Sequence, residues 1–462
     1  NNIHEVSAML LGNRTERTVG KNPYYRYQGI TGRATYYYDR KYLVEFNFGY
    51  NGSENFARGK RYGFFPSGSI GWVITNEKFM ESTQSWLDFL KVRISYGTVG
   101  SDKLPSDRFA YLAYYQGGDN YRFGPILDKE PGANKEGRLA NPIISWEKAN
   151  KLNVGVDFSV LNQRLNIAFD IFNEDRYNIL TDLNSKPGDD IQRINYPSIV
   201  GKSAPFLNSG KVRNYGFELE LSWMDRIGKS CRYYIKPNIT FARNNIKYTN
   251  EIDWGENTWR QVTDKSMYMN YCYIFDHFVA DQAEADKLND LGIQSSWGKL
   301  IPGDAVYKDL NDDGIIDDKD RAAMGYPRSP EIMFGIPIGF QYKDFDFSIL
   351  FQGAANSSIL LKDAAVYDFP HYDQDKMGKV KAIHLDRWTP ETAATAKYPA
   401  LHLGRHDNNK NNHSSLFLYD GKYLRLKNIE IGYSLPHKII KTANLQQVRF
   451  YIQGQNLFTW DK

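Results

Sequence analysis

Along most of the chain apolar and polar residues alternate with a period of two, the signature of strands rather than helices. Val44, Phe46, Phe48 and Tyr50 fall on one face and Glu45, Asn47 and Gly49 on the other. Leu152, Val154, Val156, Phe158 and Val160 oppose Asn153, Gly155, Asp157 and Ser159. After Asn162 and Gln163, which read as a turn, Leu165, Ile167, Phe169 and Ile171 oppose Asn166, Ala168 and Asp170. Tyr215, Phe217, Leu219, Leu221 and Trp223 oppose Gly216, Glu218, Glu220 and Ser222. Residues 332–342 and 345–352 repeat the scheme around a Lys343–Asp344 turn, and Val448, Phe450 and Ile452 repeat it near the end. Pro237, Pro337 and Gly339 predict bends or bulges. The pattern predicts about fifteen strands, many longer than the roughly five or six residues usual in soluble sheets.

Strand number and length decide which face is wet. A closed barrel of that many strands has a lumen too wide for side chains to fill, so its polar face encloses water and its apolar face meets lipid. The expected fold is all-β: a large antiparallel transmembrane β-barrel with long external loops. Short turns at Asp39-Arg40, Asn162-Gln163 and Lys343-Asp344 contrast with long connections over 118–145, 178–209, 248–266, 282–330 and 355–420. That asymmetry suits short periplasmic turns and long outer loops. A soluble β-rich glycan-binding protein or hydrolase is the alternative the alternation leaves open. One helix is expected, over Asp281–Leu291.

Composition narrows the class. In 462 residues, 41% hydrophobic and 24% charged content exclude both a disordered chain and a helical membrane bundle. The aromatic share is 15%, with 33 Tyr and 26 Phe, and clusters such as Tyr36-Tyr37-Tyr38, Phe64-Phe65 and Tyr114-Tyr115 suit interfacial belts. A net charge of +4 without a long basic tract disfavours nucleic acid. Cys231 and Cys272 read as free thiols on strands. The chain opens without Met or a targeting pattern and reads as a processed or partial sequence.

The sharpest local signal is Asp309–Asp320. Asp309, Asn311, Asp313, Asp317 and Asp320 take positions one, three, five, nine and twelve of a calcium-type loop, Gly314 the sharp turn at six, and Ile315 offers its carbonyl at seven. Asp320 replaces the usual bidentate Glu, and the flanks read as extended, so a structural calcium ion pinning a long loop is the expectation. No hydrolase or phosphate-binding motif is present, and Glu218 and Glu220 read as a polar ladder rather than a catalytic pair. No enzyme activity is expected. His371, His384, His402, His406 and His413 read as loop surface, and Trp254, Trp259 and Trp297 are the candidate ligand-stacking residues.

Several segments together resemble the SusC/RagA family of TonB-dependent outer-membrane transporters. They are residues 85–97 (SWLDFLKVRISYG), Asn141-Pro142 with Ser145-Trp146-Glu147, residues 211–219 (KVRNYGFEL), Pro302-Gly303-Asp304, residues 386–391 (DRWTPE), residues 423–428 (YLRLKN) and Asn456-Leu457-Phe458. The resemblance runs from about residue 3 to the end. It implies a 22-stranded outer-membrane barrel, a plug domain that receives energy from TonB, a SusD-type surface lipoprotein lid, and import of a glycan or peptide. On that pattern residues 1–462 are a C-terminal barrel portion, the plug and last strands lying outside it. A plugless porin or adhesion receptor is the alternative within the membrane class.

Overall fold

A computed structural model describes residues 3–18, 24–104, 108–118, 120, 132–183, 198–294, 298–362, 365–366, 380–401, 413–441 and 445–461. The chain divides into two units. One comprises Asn1–Ile252, Ile332–Gly353 and Arg425–Thr459; the other comprises Asp253–Glu331, Ala354–Leu424 and Trp460–Lys462.

The first unit is built on an antiparallel sheet of 14 strands laid down in chain order. They are His4–Arg17, Tyr25–Tyr38, Tyr42–Ser53, Tyr62–Val73, Leu87–Ser101, Glu147–Val160, Leu165–Asp182, Phe206–Ile227, Cys231–Ile235, Asn238–Tyr248, Ile332–Tyr342, Phe345–Ala355, Tyr423–Ser434 and Arg449–Asp461. Cys231–Ile235 and Asn238–Tyr248 are halves of one crossing, since both pair with the same two neighbours. The break falls at the expected Pro237. Proline has no N–H for the ladder, yet its carbonyl accepts from the Leu221 N–H at 2.9 Å. Pro337 and Gly339 stay inside a continuous strand, with no bulge in their register.

The hairpin turns explain the tight registers. Asp39 and Arg40 have φ of 48° and 52°, and Asn162 and Gln163 have 55° and 60°. These left-handed residues, with Leu161 at φ 59° beside the second pair, reverse the chain within a three-residue loop at 39–41 and a four-residue loop at 161–164. Strand direction alternates, so these turns and the connections 74–86, 228–230, 343–344 and 435–448 join strands at one end of the sheet, and 102–146, 183–205, 249–331 and 356–422 join them at the other. The expected asymmetry is present with different bounds. The strands run to Asp182 and restart at Phe206, and the loops expected at 248–266 and 282–330 belong to one insertion.

At the long-connection end Phe56, Phe65, Ile144, Trp146, Leu180 and Phe206 form a buried cluster. The Trp146 indole N–H donates to the Arg61 carbonyl at 3.0 Å, and Asn141 Nδ2 donates to the Phe206 carbonyl at 2.7 Å. Asn208 accepts from the Ser145 N–H and donates to its carbonyl, both at 2.9 Å. The Asn141 to Trp146 motif thus ties down the 102–146 connection.

The second unit has its own cores, one of them Tyr273, Ala305, Tyr307 and Ile316. Three short strand pairs hold it: Asn270–Tyr273 with Arg321–Met324, Phe275–Phe278 with Ala305–Tyr307, and Ser358–Leu360 with Leu418–Asp420. Its helix, Gln282–Leu291, fulfils the expectation; Asp281 caps it by accepting from the Glu284 N–H, and Gly292 ends it at φ 69°. Cys231 and Cys272 are both free and on strands, as expected.

Candidate functional site

The two faces of the 14-stranded sheet have opposite chemistry. On the apolar face, Tyr42 and Tyr50 bracket Val44, Phe46 and Phe48, and Tyr215 and Trp223 bracket Phe217, Leu219 and Leu221. Both brackets span eight residues, about 27 Å along a strand and roughly 21 Å after a tilt near 40°, close to the ~25 Å apolar band of an outer-membrane barrel. Aromatic rings line the band's edge at the short-turn end. Tyr38 and Tyr42 lie 6.2 Å apart, Tyr42 and Trp72 6.4 Å, and Trp72 and Phe79 6.5 Å. The Trp223 N–H reaches the Tyr233 hydroxyl at 3.2 Å. At the other edge Tyr50 stacks on Tyr62 at 5.1 Å. Val44 and Phe46 remain 44% and 49% exposed, so no dry protein core covers this face.

The polar face carries an ion-pair lattice. Arg33 pairs with Glu45 at 2.7 Å, Lys151 with Glu174 at 3.1 Å, and Arg176 with Glu147 and Glu174 at 3.0 and 2.7 Å. Arg93 forks onto both oxygens of Asp170 at 2.7 and 2.6 Å and touches Asp157 at 3.3 Å. Arg93, Gly155 and Asp170 are consecutive partners across three strands, so Arg93 crosses over Gly155 to reach the acid. A Cβ on Gly155 would lie 2.6 Å from the guanidinium carbon. Arg449 crosses Gly432 in the same way to Asp346 and to Glu430. Glu218 and Glu220, both exposed, face Asp170 and Ala168 on one side and Thr240 and Asn238 on the other, as a wet ladder would.

In the second unit the acidic loop is a chain of backbone-bound carboxylates. Asp309 accepts from Asn311 and Gly314 at 3.2 and 2.7 Å, and Asp313 accepts from Ile315 at 3.0 Å. Asp320, buried, accepts from Leu310 and Asp317 at 2.8 Å each. Burial pushes its carboxyl up, whereas the Asn311 amide and Lys319 hold the Asp313 carboxyl down. Asp317 caps the turn that carries Asp320. Among the described residues no three His, Cys, Asp or Glu side chains converge on one metal-sized centre.

The anchor of this loop carries no periodic or motif signal in the sequence. Asp318 holds two fully buried arginines, Arg260 at 3.0 Å and Arg321 at 2.9 Å. Trp254 lies 4.6 Å from the Arg260 guanidinium, and Trp259 donates to the Lys319 carbonyl at 2.7 Å. Both rings are half-buried and help build the unit. Trp297, His371, His402 and His406 lie outside the described residues. The remaining histidines are not loop surface. His384 is buried, its ring 4.7 Å from that of Tyr398, and His413 is half-buried, its pKa pushed down to about 3 by burial and then by Arg321. A lone histidine carries no periodic signal that would reveal such burial.

An antiparallel meander with a ring-bordered apolar face, an ion-paired polar face and its four longest connections joining strands at one end defines a membrane β-barrel. The chain belongs to the TonB dependent receptor-like, beta-barrel family, whose model matches residues 12–457. It is 27% identical over 453 residues to TonB-dependent receptor P3 of Formosa agariphila, pairing 93% of this chain with 41% of that protein. It is 26% identical over 436 residues to TonB-dependent receptor SusC of Bacteroides thetaiotaomicron, pairing 93% with 40%. The structure of the RagAB peptide transporter superposes with a TM-score of 0.74 at 19% identity, over 100% of this chain and 50% of that one, a likeness of fold. These findings bear out the SusC/RagA resemblance and place the protein in the bacterial outer membrane. The chain spans about two-fifths of the length of these curated relatives.

Proposed function

We propose that this chain is the barrel portion of a TonB-dependent importer that takes up a glycan or peptide across the outer membrane. The observation that carries the reading is the pairing of a ring-bordered apolar band with an ion-paired, water-accessible face on the same strands, within a family of TonB-dependent receptors. The relatives' names support nutrient import: one is called SusC, and another structure is described as a peptide transporter. We assign no catalytic residue. A plug domain would couple the barrel to TonB, and a SusD-type lipoprotein would close over the long connections. Trp254, Trp259 and Trp297 would stack on the ligand there. Calcium held by Asp309, Asn311, Asp313, the Ile315 carbonyl, Asp317 and Asp320 would pin the insertion that carries them; the successive Asx turns at Asp309, Asn311 and Asp313 support this reading by ordering the first half of the loop.

Uptake decides between this reading and a passive pore. Cells lacking the full-length gene should lose TonB-dependent uptake of one class, oligosaccharide or oligopeptide, and affinity purification of the full protein should bring down a lipoprotein. Uptake that persists without TonB would identify a plugless porin. Release from membranes without detergent would identify a soluble protein.

A further inference from the structure

Charge on the lipid-facing side of the strand Phe206–Ile227 changes sign along its length. Beyond Trp223, at the short-turn end, that side carries Asp225, which Arg164 holds at 3.3 Å. Before Tyr215, at the long-connection end, it carries Arg213 and Lys211. On the adjoining strand Arg243 lies directly opposite Tyr215, and Asn245 opposite Arg213. Arg213 and Arg243 are therefore diagonal neighbours, about 7–8 Å apart at Cα. Ring contacts fix the side on which both guanidiniums lie. Arg213 is 6.0 Å from the Tyr215 ring, Arg243 is 5.6 Å from the Phe241 ring, and Phe241 packs on Phe217 at 5.8 Å within the apolar band.

The patch has donors to spare. Lys211 is exposed and has no ion-pair partner among the described residues. Arg213 gives its Nε to Asn173 Oδ1 at 2.6 Å, and Asp175 lies 3.8 Å from that same nitrogen, so both Nη groups are open to a further acceptor among the described residues. Asp175 itself accepts from Asn173 Nδ2 at 2.9 Å. Lys247 is the extra residue of the bulge opposite Lys211 and adds a cation at the margin. The patch begins where the apolar band ends, at the end that carries the long outer connections. The long basic side chains lay their stems on the rings and hold their charges at headgroup level.

We propose that Lys211, Arg213 and Arg243 seat the phosphate of a lipid headgroup in the outer leaflet, with its acyl chains lying along Tyr215, Phe217 and Phe241. A molecule at this edge meets hydrocarbon contacts on one side and clustered cations on the other, which is the chemistry of a phosphate-bearing lipid. The guanidinium nitrogens fork onto the phosphate oxygens, and Lys211 adds a point charge. The bound anion also offsets the repulsion between the closely set Arg213 and Arg243. The inference depends on the apolar face meeting lipid and not on what the protein imports.

Native mass spectrometry of the full-length protein, purified from its outer membrane in mild detergent, tests this with monophosphoryl lipid A as the probe. The protein should retain the lipid. The triple variant Lys211→Gln, Arg213→Gln and Arg243→Gln should weaken binding at least about tenfold, the scale of one or more lost charge-assisted contacts. Removing the phosphate from the probe should weaken binding to the unmutated protein to the same extent. The pair Arg226→Gln with Arg232→Gln, which lies on the polar face, should bind the probe as the unmutated protein does. Equal binding by the triple variant, equal binding of the phosphate-free probe, or the same loss in the polar-face pair would overturn the proposal. So would failure to retain the probe. Displacement of the probe by millimolar inorganic phosphate would make this a small-anion site and also overturn it. Heat-modifiable gel mobility reports folding; if the triple variant misfolds, Lys211→Gln with Arg213→Gln serves the same comparison.

Discussion

A single missing Cβ decides where Arg93 can go. Gly155 leaves the space through which the guanidinium reaches Asp170, and Gly432 does the same for Arg449. Gly155→Ala should displace Arg93 from its fork and destabilise the barrel by about 1–2 kcal/mol, the scale of one lost charge-assisted pair in a partly wet site. Gly68→Ala, whose Cβ would meet nothing nearer than a backbone oxygen at 3.6 Å, should be nearly neutral. Urea midpoints of the full protein in detergent compare the two. His413 gives the second unit a pH dependence. Its folded pKa of about 3 lies below the ordinary value of 6.5, so protonation favours unfolding. The stabilisation is complete above pH 6.5 and fades as pH falls toward 3, by at most about 1.4 kcal/mol per unit. Asp320, pushed up by burial, acts in the opposite sense. Protease resistance of the second unit should therefore drop between pH 7 and pH 5, and His413→Gln should flatten that drop.

The strand Phe206–Ile227 shows what was legible in the sequence. Its alternation from Tyr215 to Trp223 assigned both faces correctly, because a residue-by-residue period of two survives wherever one face meets lipid and the other water. The same strand tests the assignment. Leu219→Arg should cost about 2–4 kcal/mol at mid-band, whereas Glu218→Arg, one residue away on the polar face, should cost far less. Folding titrations into lipid vesicles measure both; equal penalties would mean that the faces are not lipid and water. The second unit was largely illegible. Its strands are three or four residues long, too short for a period to register, and its core unites residues distant in sequence, such as Tyr273 and Ile316. The acidic loop was legible as a spacing, but not its anchoring through Asp318 to Arg260 and Arg321. Calcium should protect 282–330 from protease, and Asp309→Ala with Asp313→Ala should abolish that protection. Protection that is the same with and without calcium in the unmutated protein would reduce the loop to an acidic turn.

Parity governs the whole molecule. Among the described residues fourteen sheet strands, two of them halves of one crossing, make thirteen crossings, so His4–Arg17 and Arg449–Asp461 at the two edges run in the same direction. Joining these two edges would require a parallel pair, whereas single-chain outer-membrane barrels close antiparallel with an even count. An open edge is untenable in hydrocarbon, where each unpaired N–H and C=O costs several kcal/mol. Antiparallel closure therefore needs an odd number of further crossings. The 22-stranded barrel that the family resemblance implies meets that condition with nine. We propose that those crossings belong to sequence outside residues 1–462. Cysteines scanned along 8–12 and 452–456 in the full-length protein should form no disulfide with each other at any register, and each set should couple instead to sequence outside this range. An efficient disulfide between the two edges would mean that the thirteen crossings close on themselves, and the larger barrel would have to be abandoned.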